Sequence, residues 1–146
     1  MITIKKITAQ DTYPIRLEVL RKNIPLPFQF NGDLDDTTFH LGAFNNDKLI
    51  SVSSYMKESN NLFNGSQYQL RGMATLVEYQ GKGVGKLMLE NAISIIEEKN
   101  IDFLWCNARI SAVNFYEKLG FKTVGEIFQI NYVGEHYAMV KKLKNR

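Results

Sequence analysis

The sequence predicts a mixed α+β domain built around one sheet. Short β-branched and aromatic runs recur along the chain, bounded by Asn, Asp, Gly and Pro clusters, which is the pattern of strands and turns. At Val84 the apolar spacing changes to helical, with Val84, Leu87, Met88, Ala92, Ile95 and Ile96 recurring mainly at intervals of three and four. No internal repeat, low-complexity tract or Pro/Gly/Ser-rich linker divides the 146 residues, so a single domain over residues 1–146 is expected.

The elements follow in order. Ile2 to Ile7 is short and β-branched and reads as a first strand. Asp11 is placed to cap a helix running to about Lys22, with Ile15, Leu17, Val19 and Leu20 available for burial. Pro25 and Pro27 break it, and Phe28 to Asp36 reads as a loop or short helix. His40 to Phe44 and Leu49 to Met56 form a strand pair about the turn Asn45-Asn46-Asp47. Ser59 to Ser66 is polar, contains Gly65 and reads as a turn before a longer strand, Gln67 to Leu76. A glycine-rich turn and the helix from Val84 come next. Ile101 to Cys106 is nearly all apolar, as a strand buried on both faces would be. Ser111 to Leu119 is a further helix with Gly120 as its stop. Phe121 to Ile130 and His136 to Leu143 close the chain as an antiparallel pair.

Composition narrows the classes. Hydrophobic residues make up 45% and charged residues 23%, an ordinary globular balance that argues against disorder. The single cysteine, Cys106, forms no internal disulfide and fits a reducing compartment. No signal-like leader is expected, and no apolar run approaches the roughly 20 residues needed to span a bilayer. A cytoplasmic protein without membrane partners is the expectation. The net charge of +3 lacks the dense basic stripe of a nucleic-acid binder, and the basic tail Lys141 to Arg146 reads as a solvated end. No metal site is expected.

The turn Gln80-Gly81-Lys82-Gly83-Val84-Gly85 carries the chemistry. The first turn of a helix leaves amides without internal partners, and the helix dipole adds partial positive charge there. Together these make an anion site. Gly81, Gly83 and Gly85 let the backbone approach a phosphate, and Lys82 and Lys86 add charge. A P-loop is excluded by the missing Gly-Lys-Ser/Thr, and a Rossmann fingerprint by Lys86 at the third glycine position. From the turn alone, an anion site and an empty tight turn both remain open.

With a downstream block the turn resembles the GNAT acetyltransferase superfamily. Gln80, Gly83 and Gly85 match its signature Gln/Arg-x-x-Gly-x-Gly/Ala, and Arg71 to Tyr79 looks like its cofactor strand. The second block is Ala108-Arg109, Ala112 and Phe115-Tyr116-Glu117-Lys118-Leu119-Gly120-Phe121. The resemblance implies a mostly antiparallel central sheet of about six to seven strands, flanked by helices and with a splayed cofactor cleft. It implies acetyl-CoA as cosubstrate. Met73, Ala74 and Thr75 would pair with the pantetheine arm, and the turn from Gly81 through Val84 and Gly85 to Lys86 would hold the pyrophosphate. The amine would attack the thioester directly, with Tyr116 protonating the departing thiolate. Many members carry asparagine where Arg109 stands, and Asn107 lies two residues earlier, so either could meet the arm. Homodimers are common among similar proteins.

The acceptor side is less defined. His136 is the suggested base for the amine, against the alternative of a hydrogen-bonded histidine at a strand start. Ordered water replaces that base in many members. Cys106 offers an acyl-cysteine route, but its neighbours Leu104 and Trp105 favour core packing. His40 reads as structural and Glu78 as a solvated charge. Residues 17–30 and 55–63 would shape the acceptor pocket. The reading is an N-acetyltransferase for a small-molecule amine. A CoA-binding module without turnover and a protein lysine or N-terminal acetyltransferase are the alternatives.

Overall fold

A computed structural model describes residues 1–144; Asn145 and Arg146, the end of the basic tail, lie outside the described residues. Strand β1, Ile2–Ile7, is followed by helix α1, Ala9–Ile15. The cap of α1 is Thr8 rather than Asp11. Thr8 Oγ1 accepts from the Asp11 amide at 3.2 Å, and the Asp11 carboxylate accepts from the Thr8 amide at 3.0 Å. This reciprocal box satisfies two otherwise orphaned donors, with Asp11 as its acidic third residue.

The expected helix to Lys22 instead passes into a π-helical turn, Arg16–Leu20. Pro14 lies inside α1 and has no amide to donate. A π turn carries an extra residue, so the buried face set by four-residue spacing shifts. Leu17, expected inside, is 50% exposed, while Arg16 is 0% exposed.

Strands β2, Phe39–Asn45, and β3, Lys48–Met56, form a hairpin about Asn46 and Asp47, with Asn46 at φ 56°. Asparagine tolerates this left-handed conformation better than most residues. Strand β4 is Gln67–Thr75, and a 3-10 turn, Val77–Tyr79, precedes helix α2, Val84–Glu98. Strand β5 spans Phe103–Arg109, so Ile101 lies before it, though still buried. A 3-10 turn, Ile110–Ala112, leads into helix α3, Val113–Lys118, shorter than the expected helix from Ser111. Gly120 ends this segment at φ 92°. Its amide donates to Glu117 O at 3.0 Å and the Phe121 amide donates to Tyr116 O at 3.1 Å, a glycine stop that satisfies the last carbonyls. Strands β6, Lys122–Ile130, and β7, Gly134–Lys142, complete the chain. Lys141 and Lys142 thus belong to a strand rather than a loose tail, and Leu143 is buried.

The seven strands follow the order β1-β2-β3-β4-β5-β7-β6. The pairs β1–β2, β2–β3, β5–β7 and β6–β7 are antiparallel, and β4–β5 is parallel. That parallel ladder joins Gln67, Tyr68 and Gln69 to Phe103, Leu104 and Trp105. The expected mixed α+β fold, a mostly antiparallel sheet with helices, is what the chain adopts.

The residues group into two compact units. One contains Met1–Met56 and Leu70–Ala92, and the other contains Lys57–Gln69 and the chain from Ile93 onward. In the first, Leu41, Ala43, Ile50, Val52, Met88 and Leu89 are almost wholly buried. In the second, Ile96, Leu104, Cys106, Ala108, Met139 and Phe121 are. No helix among the described residues is long and apolar enough to cross a membrane.

Candidate active site

The glycine-rich turn lies in the first unit. Gly81 and Gly83 adopt φ 74° and 81°, and a Cβ added at either would meet nothing within 4 Å. The glycines are therefore required by backbone conformation, and open space lies before them. The Leu87 amide donates to Gly83 O at 3.1 Å, which makes Gly83 the cap of α2. A glycine cap has no side-chain oxygen to offer the first-turn amides, unlike Ser, Thr or Asp. The first turn of this 15-residue helix also contains no acidic side chain. The amides of Val84, Gly85 and Lys86 at this end thus have the polarity an anion needs.

Lys82 and Lys86 are exposed beside this turn. The hairpin brings a further cation, because Lys48 Nζ lies 5.6 Å and Lys82 Nζ 5.9 Å from the Tyr79 ring centroid. Lys48 escaped the sequence reading because only the placement of β3 beside β4 carries it there. Gln80 behaves differently from its neighbours. Its side-chain amide donates to Thr75 O at 2.9 Å, bracing the turn from within.

On β4, Ala74 is buried, and Met73 and Thr75 are half-buried. Ser51 Oγ donates to Ala74 O at 3.0 Å and lies 2.7 Å from Thr75 Oγ1. Since Ser51 has one proton and gives it to the carbonyl, the Thr75 hydroxyl donates to Ser51. Two of the three residues assigned to the cofactor arm are thereby fixed by β3.

The remaining candidates lie in the second unit. Arg109 pairs in register with His136, and Asn107 with Ala138. Opposed residues of an antiparallel pair share a face, so Asn107, Arg109 and His136 lie on one face of β5 and β7. Cys106 and Ala108 occupy the other. Asn107 and Arg109 are both exposed. His136 is 4% exposed, and its Nδ1 lies 2.7 Å from Gly134 O. A carbonyl only accepts, so Nδ1 carries the proton and Nε2 is the basic nitrogen of the neutral ring. Tyr116 sits in α3, 8% exposed, with its ring 5.1 Å from Phe115 and 5.4 Å from Phe121 between centroids. Cys106 is buried, and burial pushes its thiol up to about 12. A thiol so held is not a nucleophile near neutrality, which agrees with the packing role.

Comparison with known proteins places this geometry. The family profile described as "Acetyltransferase (GNAT) domain" matches residues 7–143. The chain belongs to the GNAT acetyltransferase family. It is accordingly an acyl-CoA-dependent N-acyltransferase, and the family generally uses acetyl-CoA. The uncharacterised N-acetyltransferase YitI of Bacillus subtilis (strain 168) is 37% identical over 146 residues, covering 99% of this chain and 98% of that protein. Escherichia coli ElaA superposes with a TM-score of 0.81 at 19% identity, over 97% of this chain and 99% of that one. The ribosomal-protein-S18-alanine N-acetyltransferase of Escherichia coli gives 0.77 at 20% identity, over 100% and 96%.

The GNAT motifs leave unexplained a buried polar network in the first unit of this acetyltransferase. Arg16 Nη1 donates to Asp33 Oδ2 at 2.8 Å and to Phe28 O at 2.9 Å. Nη2 donates to Asp33 Oδ1 at 2.9 Å and to Ser54 Oγ at 2.8 Å. His40 Nε2 lies 2.9 Å from Asp33 O, so that nitrogen donates, and Nδ1 then accepts from Ser54 at 2.6 Å. Burial alone would raise the Asp33 carboxyl. Bonds from Arg16 and the Phe30 amide, with the charge of Arg16, outweigh this and hold it below its ordinary value. Arg16 was passed over because an arginine in a helical pattern reads as surface.

Proposed function

We propose that this enzyme moves the acetyl group of acetyl-CoA to the primary amine of a small molecule by direct attack. One observation carries the reading. A 15-residue helix begins at a glycine cap, behind a turn whose glycines face open space. That cradle suits a pyrophosphate, with Gly81, Val84, Gly85 and Lys86 supplying backbone amides and Lys82 and Lys86 supplying charge. Gln80 braces the turn. Met73, Ala74 and Thr75 would meet the pantetheine arm, with Asn107 or Arg109 as further contacts.

The amine nitrogen attacks the thioester carbonyl, a C–N bond forms and the C–S bond breaks. Tyr116 gives its phenolic proton to the departing thiolate and recovers one from solvent. The proton released by the amine goes to His136 Nε2, the ring nitrogen opposite the Nδ1 bond to Gly134 O. A cytoplasmic setting suits both the substrate and the single unpaired cysteine.

A thiol-release assay with acetyl-CoA and a broad amine panel tests the reading. Tyr116→Phe should lower kcat by about 100-fold or more while the KM for acetyl-CoA changes little. Unchanged turnover would remove the acid role. A protein that binds acetyl-CoA but releases no CoA with any amine or peptide would be a binding module, and peptides outcompeting small amines would make the acceptor a protein.

A further inference from the structure

Strand β3 buries three serines: Ser51, Ser53 and Ser54 are each 0% exposed. A buried hydroxyl is costly unless it is bonded, so each needs a partner. Ser54 belongs to the network of Arg16 and His40, and Ser53 Oγ lies 2.8 Å from the Tyr55 hydroxyl. Ser51 is the one that reaches β4. It donates to Ala74 O at 3.0 Å and accepts from the Thr75 hydroxyl at 2.7 Å.

These bonds set the direction of the backbone at the end of β4. The Ala74 carbonyl is aimed at β3 by Ser51, and the Leu76 amide donates to Ile50 O at 2.9 Å on the same side. Across a planar trans peptide the carbonyl and the following amide point in opposite directions. The Thr75 amide, which follows the Ala74 carbonyl, therefore points away from β3. The Thr75 carbonyl, which precedes the Leu76 amide, does so too. Gln80 Nε2 takes that carbonyl at 2.9 Å. The Thr75 amide is then the donor presented on the side away from β3. Among the described residues β4 pairs with β5 only over Gln67–Gln69, so Thr75 lies beyond that ladder.

We propose that Ser51 is a positioning residue for the cosubstrate: its bond to Ala74 O fixes the peptide that presents the Thr75 amide to the pantetheine arm. This rests on the acetyl-CoA reading above and assigns the preorganisation of the arm site to a residue outside both motif blocks. A donor held by buried bonds loses little freedom when the arm docks. Without the Ser51 hydroxyl the Ala74 carbonyl loses this anchor and the peptide is released to rotate.

The test compares two ligands of the full chain by calorimetry, directly and in competition. One is CoA. The other is 3′-phosphoadenosine 5′-diphosphate, which keeps the pyrophosphate and lacks the arm. Ser51→Ala should weaken CoA by about fivefold, the scale of one hydrogen bond, and leave the armless ligand within about twofold. With any amine that turns over, the KM for acetyl-CoA should rise by a similar factor while kcat holds. Ser53→Ala removes a buried hydroxyl from the same face of the same strand and is the control for lost stability. It should lower Tm and leave both affinities unchanged. Should Ser51→Ala fail to fold, Ser51→Cys, which offers only a weak donor, carries the same comparison. Equal weakening of both ligands, unchanged affinity for CoA, or the same selective loss in Ser53→Ala would overturn the proposal. Failure of both ligands to bind the parent protein would instead remove the acetyl-CoA reading beneath it.

Discussion

Asp33 shows how a single residue ties stability to pH. Its folded carboxyl titrates below the ordinary value of 3.8. The stabilisation is therefore complete above the ordinary carboxylate range and is lost as pH falls through the lowered folded value. Asp33→Asn should cost about 3–5 kcal/mol at neutral pH, because Arg16 is left buried without its counter-charge. The gap from the parent should narrow below pH 3.8, and urea unfolding of both proteins across that range would show it. Cys106 makes the opposite case. Its raised thiol and its place among buried residues assign it to packing. Cys106→Ala should lower stability by about 1 kcal/mol with turnover retained. Loss of activity in a folded variant would reopen the acyl-cysteine route. Cys106 was readable from its apolar neighbours in sequence. The burial of Arg16 was not, since Asp33, His40 and Ser54 come from separate stretches of chain.

Among the elements, the start of α2 is the most telling. Gly83 combines a left-handed φ with an open approach, so a Cβ there meets no neighbour but strains the backbone and fills the cradle. Gly83→Ala should cost about 1–2 kcal/mol in stability. It should also raise the KM for acetyl-CoA by about tenfold, through displaced amides. A variant of reduced stability with unaltered KM would place the pyrophosphate elsewhere. The helix from Val84 was legible because an amphipathic period and a glycine cap are local signals. The first helix was less so. Its box at Thr8 and Asp11 is local, yet the turn after Pro14 widens and exchanges Leu17 for Arg16 on the buried side. The π turn is stable there because Arg16 finds its partners inside.

For the molecule as a whole, a cosubstrate that binds only the folded chain must stabilise it. Acetyl-CoA at about 100 times its Kd should add about 2.7 kcal/mol, visible as a rise in Tm. No rise at saturating concentration would contradict the proposed site. The sequence by itself determined the fold class, the seven strands to within a few residues, and the family, because periodicity, turn glycines and the two motif blocks are written in short contiguous stretches. Tertiary structure alone decided three things. It brought Lys48 beside Tyr79, it paired Arg109 with His136 across β5 and β7, and it closed Arg16, Asp33, Ser54 and His40 into a buried network beside Phe30 and Arg71. The physical reason is separation along the chain. Local conformational preferences are set by neighbours in sequence, whereas a buried charge is stable only beside partners that the folded backbone delivers.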